Sequence, residues 1–128
     1  SSPLMGIQLP GAEGRIDPRQ VETTPPFNDP GVHQVAPNQY EVVMRAEAFL
    51  FTPREIRVPA GADITFTVTS KDVIHGFYIE GTRVNLMIIP GQIARTSYRF
   101  EKPGEYTLLC HEFCGAGHHV MFGKVIVE

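Results

Sequence analysis

Ile64-Thr65-Phe66-Thr67-Val68-Thr69 alternates an apolar side chain with a threonine at every step. A period of two sends the two sets to opposite faces of a β-strand, and β-branched and aromatic residues suit that pleated surface. The same alternation recurs on both sides of this run. Upstream, Tyr40, Val42, Met44, Ala46 and Ala48 share one face, with Glu41, Val43, Arg45 and Glu47 on the other. Ile56 and Val58 alternate with Glu55 and Arg57 before a Pro59-Ala60-Gly61 turn. Downstream, Phe77 and Ile79 precede Glu80-Gly81, and Val84, Leu86 and Ile88 lead to Pro90-Gly91. Ala94, Thr96, Tyr98 and Phe100 form the next run; Tyr106, Leu108 and Cys110 share a face after Lys102-Pro103-Gly104-Glu105; Val125 and Val127 close the chain. Seven or eight short strands punctuated by Gly and Pro, without an amphipathic helix, predict an all-β antiparallel sandwich or barrel.

Residues 1–38 differ from the rest, because they hold Pro3, Pro10, Pro18, Pro25, Pro26, Pro30 and Pro37, seven of the eleven prolines. Proline lacks a donor N–H and fixes φ, so this stretch suits neither a helix nor a central strand. It is expected to be an extended arm over the domain, or a partly ordered tail, with residues 39–128 forming the β-domain. The net charge of −3 comes with scattered Lys and Arg, which argues against nucleic-acid binding. No segment approaches the run of roughly 18 apolar residues that marks a membrane-spanning helix, and no signal-peptide pattern is present.

The chemistry concentrates in Cys110-His111-Glu112-Phe113-Cys114-Gly115-Ala116-Gly117-His118-His119-Val120-Met121, which contains both cysteines of the chain and three of its five histidines. Thiolate, imidazole and thioether are the ligand set of copper. A Cys110–Cys114 disulfide is one alternative, although it leaves the neighbouring His and Met without a role. A Cys2His2 zinc site with His75 and His118 is another, and it gives Met121 nothing to do. A mononuclear blue-copper site takes one Cys, two His and a weak axial Met, so this chain has one cysteine too many. Two thiolates on a tight loop can bridge two ions, each of which then needs one imidazole and one weak ligand. His118 and a distant His, with Met121 and a backbone carbonyl between the cysteines, balance that inventory. His75, in the loop after the Ile64–Thr69 strand, is the favoured distant imidazole; His33 lies in the arm, and His111 and His119 flank the ligand positions.

Cys110-x-Glu112-x-Cys114-x-x-x-His118-x-x-Met121, preceded by His75, resembles the binuclear CuA motif of cytochrome c oxidase subunit II. The resemblance runs from about residue 38 to 128 and takes in Val73-Ile74-His75-Gly76-Phe77, Pro90-Gly91 and Pro103-Gly104-Glu105-Tyr106. Arg15-Ile16-Asp17-Pro18 is similar to B-type, ba-like haem-copper oxidases of thermophiles. It implies a cupredoxin-like Greek-key fold and two copper ions in a mixed-valence CuA centre, with Cys110 and Cys114 bridging. His75 with Met121 would complete one copper, and His118 with the Glu112 carbonyl oxygen the other.

The resemblance further implies an electron-transfer domain that takes electrons from a reduced cytochrome c and passes them to haem in subunit I, where O2 is reduced. The isolated domain would then be a carrier with no O2-reducing site of its own. An N-terminal membrane helix is expected before residue 1, with the domain on the periplasmic side of the cell membrane and the fragment monomeric. The donor is expected at the His118 edge, where Gly115, Ala116, Gly117, Val120 and Phe122 carry no charge. The chain departs from the family pattern in having no Trp; Ala46-Glu47-Ala48-Phe49-Leu50-Phe51 stands where a tryptophan-rich segment is usual. A nitrous oxide reductase CuA domain typically has Trp at the position of Glu112, so that alternative, like a mononuclear cupredoxin carrier, fits less well.

Overall fold

The computed structural model describes residues 14–110 and 121–128. Ten strands are present among them: β1 (Gly31–Ala36), β2 (Gln39–Glu47), β3 (Leu50–Thr52), β4 (Glu55–Val58), β5 (Asp63–Ser70), β6 (His75–Ile79), β7 (Asn85–Ile88), β8 (Ala94–Arg99), β9 (Gly104–Leu109) and β10 (Phe122–Val127). One sheet has the order β1-β2-β5-β8, with β3 also on β2; the other runs β4-β10-β9-β6-β7.

Alternation along a strand predicts its faces but not its direction. Two pairings are parallel rather than antiparallel: β2 with β5, from Gln39↔Asp63 to Ala46↔Ser70, and β4 with β10. Eight of the strands follow the sequence pattern. β3 is too short to show a period, and β1 lies inside the proline-rich stretch, where it pairs with β2 alone as an edge strand.

Between the sheets lies the main core, which includes Val42, Met44, Ile64, Phe66, Val68, Phe77, Ile79, Ile88, Leu108, Val125 and Val127. Its aromatic rings meet edge to face or tilted: Phe51 on Phe77 at 5.8 Å, Phe77 on Phe66 at 5.7 Å, and Phe66 on Phe100 at 6.3 Å. Such pairs add to the free energy of area burial alone.

The outer face of β2 and β5 is covered as well, which the threonines of β5 did not foretell. Residues from the proline-rich stretch lie across it, with Val21 and Phe27 buried against Val43 and Ile93. Pro18 sits in the first turn of a short 3-10 helix, Pro18–Thr23, where its missing N–H is not needed, and Asp17 caps it through the Arg19 N–H. Arg45 donates to the Phe27 carbonyl at 2.8 Å. Thr67 and Thr69 are therefore buried. Their hydroxyls donate to the Glu41 carboxylate at 2.8 Å and the Gln92 carbonyl at 2.7 Å. The Pro90-Gly91 turn also meets this segment, because Ile16 donates to Gly91 O at 3.1 Å while Gly91 takes a φ of +86° that suits glycine.

Candidate metal centre

Three predicted ligand positions come to one end of the second sheet because three strands begin or stop there. β6 opens with His75, β9 stops one residue before Cys110, and β10 starts one residue after Met121. Tyr78 and Phe122 both pair with Leu109, which fixes the three strands in register at that end. Cys110 N–H donates to Met121 O at 3.0 Å and holds these two residues side by side.

The period-two pattern carries each of these side chains inward. His75 is fully buried, Met121 is 2% exposed, and Cys110 packs against the main core. His75 Nδ1 stands 3.9 Å from Cys110 Sγ. The Gly76 N–H points at the same sulfur at 3.3 Å.

His75 has a partner in Asp72, which the sequence pattern does not mark as a site residue. His75 Nε2 lies 2.9 Å from Asp72 Oδ1. Burial pushes the Asp72 carboxyl up, but hydrogen bonds from Ala48 N–H, His75 and Val73 N–H outweigh it and hold the group below its ordinary range. An ionised carboxylate only accepts, so Nε2 is the nitrogen that donates in this pair, and Nδ1 is the one turned towards Cys110 Sγ. A carboxylate three residues before a candidate metal His was the available signal.

Glu112, Cys114 and His118 lie outside the described residues, as do His111 and His119. His33 is elsewhere, with Nε2 2.8 Å from Asp29 O. Among the described residues no group of three or more His, Cys, Asp or Glu gathers around a metal position. Cys110 is disulfide-bonded. An oxidised sulfur pair cannot serve as thiolate ligands; the reduced pair can. Once the sulfur is reduced, the donor chemistry at this end, an imidazole nitrogen facing a cysteine sulfur beside a buried thioether, fits a copper ion.

Two packed sheets with copper-type donors gathered at one end define a cupredoxin-fold electron-transfer domain. The fold alone is shared with auracyanin A, a blue copper protein of Chloroflexus aurantiacus, at 14% identity and a TM-score of 0.56, covering 70% of this chain and 99% of that one. The chain belongs to a narrower group: residues 34–128 match the family of the cytochrome c oxidase subunit II periplasmic domain. It is 45% identical over 125 residues to cytochrome c oxidase subunit 2 of Thermus thermophilus, covering 96% of this chain and 93% of the relative. A chain in the cryo-EM structure of a haem-copper terminal oxidase dimer matches at 42% identity and a TM-score of 0.67, covering 78% of this chain and 71% of that one. The protein is thus a copper-binding electron-transfer domain of a respiratory oxidoreductase.

Proposed function

We propose that this domain holds a binuclear CuA centre that accepts single electrons from a reduced cytochrome c and delivers them to haem in subunit I of its oxidase. The supporting observation is the meeting of His75 Nδ1 and Cys110 Sγ, 35 positions apart in sequence, at the strand ends that also carry Met121. Cys110 and Cys114, once reduced, would supply two bridging thiolates. His75 and His118 would supply the imidazoles, and Met121 and the Glu112 carbonyl oxygen the weak axial donors. Held by these residues, the copper would supply one-electron transfer.

The chain's own contribution is to hold these donors still. His75 and Met121 are buried at strand ends, and Asp72 bonds to the ring, an arrangement in which little rearrangement accompanies a change of charge. Ala48 N–H donates to Asp72 Oδ2 at 2.8 Å, joining two loops in and beside which Phe49, Leu50, Val73 and Ile74 are exposed. An apolar rim of this kind suits the small, transient interfaces of redox partners. An N-terminal anchor ahead of residue 1 would hold the domain on the periplasmic side of the membrane.

The deciding experiment is to load the reduced protein with copper, count the metal and record its EPR spectrum. Two coppers per chain with one electron shared equally over both nuclei is the expected result. One copper per chain would point to a mononuclear carrier instead.

A further inference from the structure

We infer that Asp72 is a positioning residue that selects which nitrogen of His75 faces the metal site and holds the ring there before any metal arrives. The inference rests on the copper reading above and deepens it.

The carboxylate is itself held from several sides. Asp72 Oδ1 accepts from Val73 N–H at 2.6 Å and from His75 Nε2 at 2.9 Å. Oδ2 accepts from Ala48 N–H at 2.8 Å, in a loop 24 residues away. The Asp72 N–H in turn donates to Ser70 Oγ at 3.1 Å, and that hydroxyl donates to Val73 O at 2.5 Å. Ser70 is fully buried, so the loop is pinned from beneath as well as across. The Asp72 side chain is 38% exposed, whereas His75 is 0% exposed. The charge keeps some contact with water while its partner ring has none.

Two consequences follow for the ring. With Nε2 occupied as a donor, only Nδ1 is left as a lone-pair donor, and it is the nitrogen 3.9 Å from Cys110 Sγ. Loss of a carboxylate partner behind a ligating imidazole typically costs about 10–100-fold in metal affinity.

Asp72→Ala and Asp72→Asn separate this role from simple loop-holding. Asn can still accept from Nε2–H through its oxygen, but its amide would face the Ala48 N–H with no acceptor to offer. In reduced, copper-free protein, nitrogen NMR of His75 is expected to show the Nε2–H form in the wild type and in Asp72→Asn. A mixture of tautomers is expected in Asp72→Ala. After loading with copper ion alone, Asp72→Ala is expected to retain the metal about 10–100-fold less tightly against a chelator, with Asp72→Asn between it and the wild type. An unchanged His75 tautomer in Asp72→Ala overturns the inference, and so does unchanged copper retention. The tautomer measurement needs no metal. A wild type that binds no copper therefore sinks the copper reading without touching that arm of the test.

Discussion

Gly123 lies so close to Arg54 that a Cβ built on it would stand 2.7 Å from the Arg54 carbonyl oxygen. That oxygen already accepts the Lys124 N–H at 2.8 Å, so β10 cannot step away without losing the bond. Gly123→Ala is expected to destabilise the fold by about 1–3 kcal/mol, the usual cost of overpacking. Denaturant midpoints at unchanged m-value would show it. Because Gly123 is two residues from Met121, weakened copper retention should accompany the loss.

Phe77 touches both Phe51 and Phe66 and is two residues from His75 on the same inward face of β6. Phe77→Ala should cost about 3–5 kcal/mol, the range for emptying an aromatic site in a packed core. Urea unfolding measures it. A cost below about 1 kcal/mol would mean that the site collapses around the change.

How much of this was legible in the residues follows from what each signal encodes. Period two marked eight strands and carried His75, Cys110 and Met121 inward, since the alternation that buries Phe77 and Leu108 also aims His75 and Cys110. The ligand spacing identified the metal chemistry without any geometry. Strand direction was hidden, because a pleat looks the same read parallel or antiparallel. The burial of Thr67 and Thr69 was hidden too: their polarity matches an exposed face, and only the segment bearing Val21 and Phe27 covers them. Asp72 is silent in the sequence because its partners, Ala48 N–H and His75, become neighbours only when two loops meet.

That covering segment is tied to the loop before Asp72 by Lys71, whose ammonium lies 2.6 Å from Glu22 and 3.4 Å from Glu47. The hydrogen bond to Lys71 holds the Glu22 carboxyl below its ordinary value of 4.5, and Glu22 holds Lys71 above 10.5. A depressed carboxylate stabilises above its unfolded pKa and loses that contribution as pH falls through its folded pKa. A raised ammonium loses its contribution as pH rises through its folded pKa. The tie is therefore complete between about pH 5 and 10 and fades outside that window. Glu22→Gln should lower Tm slightly at pH 7 and leave it unchanged near pH 2, and thermal melts across pH check both.

Cys110 is disulfide-bonded, so copper loading should depend on prior reduction. Protein incubated with copper without reductant is expected to take up none at the cysteine site. Protein reduced first, by transfer of two electrons to the S–S bond, should take up two ions per chain. Thiol titration followed by metal analysis distinguishes the two. Equal uptake with and without reductant would mean that the sulfurs are not the ligands.

Met121 offers the most selective probe of the centre, because its side chain and its backbone do different work. The carbonyl accepts the Cys110 N–H at 3.0 Å and ties the ends of β9 and β10 together, whatever side chain the residue carries. The thioether is 2% exposed, and Leu replaces it at nearly equal volume for less than about 1.5 kcal/mol. Met121→Leu should thus fold, keep the strand ends in register and bind two coppers. What it removes is a weak axial donor, which favours the more oxidised copper; its loss should raise the midpoint potential. A rise of tens of millivolts is expected, where about 59 mV is tenfold in a one-electron equilibrium. Voltammetry beside copper analysis separates the outcomes: a shifted potential at two coppers supports an axial thioether, whereas loss of one ion would make Met121 a holding ligand.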